Sequence, residues 1–226
     1  LLPGIGYWGN YYSDDENLRW SFALLRHYAV EGRKDMLSAQ YGYTYDLTYV
    51  KNPDFIEGLK DWTVQVAPEG GIECRRIRKF GKEVQMRWAQ EDDWSGSDLC
   101  VMKRSAKAPN RIAQTITGLT PGKPYSFQIF AVDLKAQQAQ PKVDLAKGEK
   151  PAEAQFRVAL EGADILKAYR YATPTQNNCE YMVFTPKADT VQLTVGDWND
   201  DAQAPTQGIG AETGFNFVKV APYFEN

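Results

Sequence analysis

From about Thr48 onward, apolar residues recur at every second position in short runs. Trp62-Thr63-Val64-Gln65-Val66, Glu83-Val84-Gln85-Met86-Arg87-Trp88, Tyr125-Ser126-Phe127-Gln128-Ile129-Phe130 and Thr190-Val191-Gln192-Leu193-Thr194-Val195 all show this period. Side chains alternate between the two faces of a strand, so a period of two marks a strand with one face buried. Turn chemistry separates the runs: Pro68-Glu69-Gly70-Gly71, Ser95-Gly96-Ser97 and Thr120-Pro121-Gly122-Lys123. In the last of these, proline and then glycine occupy the central positions that a type II turn prefers. Many short alternating strands with such turns predict a mainly β protein, an antiparallel two-sheet sandwich. The stretch Lys135 to Glu153, rich in Ala, Gln and Lys, reads as a long exposed connection, a short hairpin or a weak strand.

The first 46 residues have a different texture. After the glycine-punctuated segment Pro3 to Gly9, Ser13-Asp14-Asp15-Glu16 forms a capping box, with acidic residues at the positive end of the helix dipole. Leu18, Phe22, Leu25 and Ala29 then recur at helical spacing, and Trp20, Leu24 and Tyr28 widen the apolar face. Gly32 is the expected stop. A helix this apolar is expected to be buried on more than one side. The organisation expected is a strand and helix appendage over residues 1–46 and a sandwich domain over 47–226. The chain opens on Leu1 with no basic lead, so no signal peptide is read there and the chain is expected to be an excised piece of a longer protein.

Composition narrows the function. Lys and Arg total 26 against 29 Asp and Glu, a net charge of −3, which speaks against a nucleic-acid partner. Mean hydropathy is −0.51, and no apolar run approaches the roughly 18 residues of a membrane span. The aromatic content of 13% includes 6 Trp and 13 Tyr, enough to furnish a core and a stacking surface as well. Cys74, Cys100 and Cys179 are odd in number and match no zinc spacing, which leaves their pairing open. Catalytic signatures are lacking. His27 is the single histidine and lies on the apolar helix, and neither a nucleophile elbow nor a phosphate loop is present. No enzyme activity is expected of this chain.

Three motifs resemble one family. Val50-Lys51-Asn52-Pro53-Asp54-Phe55-Ile56-Glu57-Gly58-Leu59-Lys60-Asp61-Trp62 is similar to the opening of carbohydrate-binding modules of families 4, 9 and 22. Gln114-Thr115-Ile116-Thr117-Gly118-Leu119-Thr120-Pro121-Gly122-Lys123-Pro124-Tyr125 looks like their Pro-Gly hairpin, and Phe184 to Leu193 resembles their late strand. The resemblance runs from about Tyr49 to Phe224. It implies a galactose-binding-like jelly roll, a carbohydrate partner and a secreted or cell-surface location. Independently of the family, Asn52-Pro53 starts a segment that is expected to be extended, and Phe55, Leu59 and Trp62 are expected to seat the first strand in the core. The resemblance also brings in a structural calcium, but Ile56 and Val218 stand where the family commonly has acids, and calcium needs roughly six to eight oxygen ligands. The loss of two donors speaks against that site, and no other cofactor is expected. The N-terminal piece resembles the last strand and helix of a (β/α)8 barrel, which would make the chain the C-terminal module of a glycoside hydrolase. The alternative is a helix packed on the side of the sandwich.

Sugars offer apolar C–H faces and hydroxyl edges, so a site for them combines open aromatic rings with paired polar groups. Trp94, in the polar loop Glu91 to Asp98, is the leading ring candidate; its alternative is a buried anchor. Trp198 in Gly196-Asp197-Trp198-Asn199-Asp200-Asp201 has Asp197 and Asn199 as edge groups; its alternative is a plug at the sandwich edge. Tyr169 and Tyr171 share one strand face and could line a cleft, or could be structural, and Trp88 is a further ring that parity also fits to the core. Arg104 and Asn110 are expected on solvated surface, and the acidic loops Asp92/Asp93/Asp98 and Asp197/Asp200/Asp201 could bind a cation or be solvated, since neither follows a spaced calcium-loop pattern. The function expected is non-catalytic binding of a polysaccharide or oligosaccharide. The alternatives are a ligand-free structural or assembly sandwich, or a fragment of a catalytic glycoside hydrolase.

Overall fold

The computed structural model describes residues 21–35, 37, 49–78, 96–140 and 142–223. Among these, ten strands form two sheets. The smaller sheet has the order β1 (Thr63–Gln65), β4 (Arg111–Thr117), β9 (Thr190–Gly196), β6 (Arg157–Glu161). The larger has the order β2 (Gly71–Arg78), β3 (Gly96–Lys103), β10 (Glu212–Pro222), β5 (Tyr125–Asp133), β8 (Asn178–Pro186), β7 (Ala163–Ala172). Every pairing is antiparallel. The mainly β, two-sheet sandwich read from the alternation is the architecture observed.

The same alternation builds the core on β4, β5 and β9, whereas β1 is exposed at all three positions and only Trp62 of the run Trp62–Val66 is buried. On β4, Ile112, Gln114 and Ile116 point inward between exposed or half-buried neighbours. They meet Phe127 and Ile129 of β5 and Phe184 of β8, all fully buried. Burying side chains of this size contributes roughly 1.5–3 kcal/mol each. Gln114 is the polar exception. Its side-chain amide accepts from the Lys51 backbone N–H at 2.8 Å and donates to the Lys51 and Asp61 carbonyls at 3.0 and 3.1 Å. Those bonds hold the loop 51–61 against the small sheet.

That loop differs from the extended segment expected after Asn52-Pro53. It is a chain of turns in which Asn52, Phe55 and Asp61 have φ of +47°, +56° and +67°. The left-handed conformations are held by the Asn52 side chain, whose amide donates to the Gly58 and Lys60 carbonyls, and by Phe55 and Trp62, buried together with ring centroids 5.4 Å apart. The core role expected of Phe55, Leu59 and Trp62 is observed. The turn at Thr120–Lys123 is the type II turn expected, with Gly122 at φ +75° and the Lys123 amide donating to the Thr120 carbonyl at 3.1 Å.

Of the three readings of Lys135–Glu153, the long exposed connection is the one observed: its described residues hold neither hairpin nor strand, β5 runs straight into a short helix, α1 (Leu134–Ala139), and a 3₁₀ turn follows at Leu145–Lys147. Asp133 caps α1 by accepting from the Ala136 amide at 2.9 Å, and Leu-Lys-Ala-Gln-Gln-Ala is a sequence of good helix formers. The N-terminal helix is described from residue 21: 21–24 are α-helical, Leu25–Val30 form a π-helical turn, and Gly32 follows at φ +65° as the expected stop. It is not buried on several sides, since Phe22 is 59% and Val30 80% exposed and only His27 of the π turn is buried. The added residue of a π turn rotates the apolar stripe out of register. The capping box at Ser13–Glu16 and the strand Glu83–Trp88 lie outside the described residues.

Candidate functional site

Trp198, Asp197 and Asn199 follow β9, but they serve the fold. The Trp198 ring is only 4% exposed, and its indole N–H donates to the Ser105 carbonyl at 3.0 Å. It is the edge plug, with no face open for stacking. Asp197 is fully buried; its carboxylate accepts from the Asn110 amide at 2.9 Å and from Asn110 Nδ2 at 2.7 Å, and its carbonyl accepts from Arg104 Nε at 2.7 Å. Burial pushes the Asp197 carboxyl above its usual range, against the hydrogen bonds from Asn110 and the charge of Arg104. Burial likewise lowers the Arg104 guanidinium, opposed by Asp197 and Asp133. Asn199 accepts from the Phe156 amide at 3.0 Å. Arg104 and Asn110, expected on solvated surface, are therefore buried, because together they satisfy the backbone of four converging loops. Asp201 is shared by Arg111 and Arg157. Trp88 and Trp94 lie outside the described residues.

Tyr169 and Tyr171 have a different setting. Register places Tyr171, Cys179 and Phe130 in one row across β7, β8 and β5, with Asn216 of β10 beside Phe130. Tyr169, Tyr181 and Gln128 form the next row. Directly opposed residues share a face, and the intervening residues Phe127, Ile129 and Met182 are in the core. Both rows therefore lie on the outer face of the large sheet. Tyr169 and Tyr171 are 37% and 41% exposed, with ring centroids 6.1 Å apart and planes within 26° of parallel. Lys167 Nζ sits 5.1 Å from the Tyr169 ring centre, so β7 carries a ladder of one cation and two rings. Arg170, between the tyrosines, turns to the other face, where it pairs with Glu180 at 2.6 Å and covers the Phe156 ring at 3.8 Å. It closes the sandwich edge and leaves the two rings on one side.

At the other end of this face, a register shift between Asn216 and Lys219 marks a β-bulge. Within it Phe217 has φ +52° and is 54% exposed, edge-on to Phe130 at 6.3 Å. A phenylalanine in the left-handed region is costly and is found where the surroundings impose it. Bulges re-aim side chains in this way. Leu99, Phe130, Asn177, Asn216 and Phe217 line a cavity of about 170 Å³ there. That is below the ~300 Å³ of a pocket that engulfs a small molecule. From β10 to β7 the face spans three strand spacings, roughly 14 Å. Phe130 and Gln128 were readable as outward positions from the alternation in β5. Phe217 was not, because only the bulge turns it outward.

Ile56 and Val218 supply no side-chain oxygen, Asn52 is spent on the Glu57 amide and on the Gly58 and Lys60 carbonyls, and Glu57 pairs with Lys60. Val218 is buried and donates its amide to the Pro53 carbonyl at 3.1 Å. Among the described residues no group of three His, Cys, Asp or Glu side chains converges. His27 is buried against the Asp35 carbonyl at 2.7 Å. No described helix is long and apolar enough to cross a membrane.

No family model and no curated protein matches the chain. Among solved structures, the chain is similar to the enzymatically active domain of tailspike protein 4 of bacteriophage CBA120, at 12% identity and a TM-score of 0.46 over 77% of this chain. It spans 21% of the length of that tailspike chain. It is also similar to the first family 22 xylan-binding domain of Paenibacillus barcinonensis Xyn10C, at 10% identity and a TM-score of 0.40, covering 74% of this chain and 88% of that one. A family 4 carbohydrate-binding module gives 16% identity and a TM-score of 0.36 over 76% of this chain and 99% of the module.

Proposed function

We propose that this chain is a non-catalytic carbohydrate-binding domain and that its ligand, a polysaccharide or oligosaccharide, lies across the outer face of the large sheet. The observation that carries this is the pair of parallel, solvent-facing rings of Tyr169 and Tyr171, on a face that also holds Phe217 outward at a strained φ. Rings take the C–H faces of sugars, and the half-buried Gln128 and Asn177 supply polar groups for hydroxyl edges. Trp88 and Trp94 join the proposal on sequence grounds. The wider role proposed is an accessory module of a carbohydrate-active protein that is secreted or displayed at the cell surface.

Calorimetric titration with a broad glycan panel, xylan included, tests this. Tyr171→Ala and Phe217→Ala are expected to weaken binding by about 10–100-fold each, the worth of one lost ring at roughly 1.5–3 kcal/mol. Binding by the wild type that both variants keep at full strength would move the site to the Trp88–Trp94 segment, to be checked with Trp94→Ala. If nothing in the panel binds, carbohydrate recognition is abandoned. A second reading, an assembly element, is favoured by β7: it is an edge strand exposed on both faces, with Ile165 46% and Leu166 56% exposed. Concentration-dependent self-association lost in Leu166→Lys would support it.

A further inference from the structure

Cys74 and Cys100 are directly opposite each other across β2 and β3. Both point to the core side of the sheet: Cys100 is fully buried in the main core and Cys74 packs against it. Both are thiols, and the Cys100 S–H donates to the Cys74 sulfur. Opposed residues of an antiparallel pair have Cα atoms about 4.5 or 5.5 Å apart, and both spacings fall within the roughly 4.4–6.8 Å that a disulfide spans. No backbone rearrangement is needed to join them. Among the described residues β2 is an edge strand of its sheet, and Cys74 is partly buried where Cys100 is fully buried, so Cys74 is the sulfur that a small reagent meets first. The third cysteine cannot compete. Cys179 lies in the row of Phe130 and Tyr171 on the opposite face of the sheet, beside Gln128 Nε2 at 3.3 Å.

We propose that Cys74 and Cys100 form an oxidisable pair that closes a cross-strand disulfide between β2 and β3 by exchange with a low-molecular-weight disulfide. The Cys74 thiolate attacks one sulfur of the small disulfide, breaking its S–S bond, forming a mixed disulfide and releasing one small thiolate. Cys100 then gives its proton to solvent and attacks the Cys74 sulfur, forming the protein S–S bond and releasing the second small thiolate. Two protein thiols are oxidised and one small disulfide is reduced to two thiols. The hydrogen bond from Cys100 holds the Cys74 thiol below its ordinary pKa, as suits the attacking group, and the same contact together with burial raises Cys100. The bond would pin β2 to β3 at the Cys74–Cys100 register position.

The test is incubation of the folded chain with oxidised glutathione across a series of glutathione redox ratios, followed by intact mass and peptide mapping. The expected product has lost two hydrogens, carries no glutathione, yields one cross-linked peptide containing Cys74 and Cys100, and keeps Cys179 alkylatable. Its Tm is expected to rise by roughly 5–10 °C over the reduced form. Cys100→Ser is expected to trap glutathione on Cys74. Persistence of three alkylatable thiols at the most oxidising ratio, a stable glutathione adduct in the wild type, or a bond involving Cys179 would each overturn the proposal. The wild-type map decides the matter even where Cys100→Ser does not fold.

Discussion

Asn110 offers the sharpest test of how the sandwich is held together. It looks like a loop residue, yet it is fully buried and makes three side-chain hydrogen bonds: Oδ1 accepts from the Ala67 amide at 2.9 Å, and Nδ2 donates to the Lys103 carbonyl at 2.8 Å and to the Asp197 carboxylate at 2.7 Å. Asn110→Ala removes all three and leaves the Asp197 carboxylate with one Asn110 contact, the backbone amide at 2.9 Å. An unsatisfied buried group costs about 1–3 kcal/mol, more for a charged one. Water entering the space vacated offsets part of that. The expected loss is about 3–5 kcal/mol, or roughly 6–20 °C in Tm for a domain of this size, read by urea denaturation as a lower midpoint with unchanged m-value. Asn110→Asp sharpens the test, since it sets a second carboxylate against Asp197. Two carboxylates in contact share a proton, which raises the folded-state pKa above the unfolded value. Between those values the folded chain binds more protons than the unfolded one, so stability falls as pH rises. Wild-type Asp197, raised by burial, contributes with the same sign. Asn110→Asp is therefore expected to lose more stability at pH 7 than at pH 4. A loss within the roughly 0.5 kcal/mol of an ordinary surface substitution, or the opposite pH trend, would refute the clamp.

Two further outcomes follow from the geometry. Trp198→Phe keeps most of the plug and removes the indole bond to the Ser105 carbonyl, so thermal denaturation should show a loss of about 1–2 kcal/mol while glycan affinity stays unchanged; a selective loss of affinity would return Trp198 to the binding site. Gly122→Ala introduces a Cβ into open space, with nothing within 4 Å, at φ +75°. Its cost is conformational alone, about 1 kcal/mol, and a neutral result would mean that the turn is not the type II turn described.

The sheets were legible because a buried face leaves a period of two in the sequence. β5 and β9 show it in full, and the Pro121-Gly122 turn between β4 and β5 is local chemistry that needs no tertiary partner. The short helix α1 was hidden because six residues carry too little periodicity to register, and its cap, Asp133, is also the last residue of a strand. Within the candidate site, the shared face of Tyr169 and Tyr171 could be read from their i, i+2 spacing. The neighbours that make a surface of them, Phe130, Gln128 and Phe217, come from strands far away in the chain.

What the chain determined locally is therefore its strands, its tight turn and the side of each strand that is apolar, since these depend on residues a few positions apart. Which sheet edge each strand joins, which cysteines meet, and which polar loops are drawn inward were settled only by packing. Asp197, Arg104 and Asn110 look alike in sequence to any solvated loop residue. They are buried because the converging backbones around them have amides and carbonyls that water no longer reaches, and these three side chains supply the missing partners.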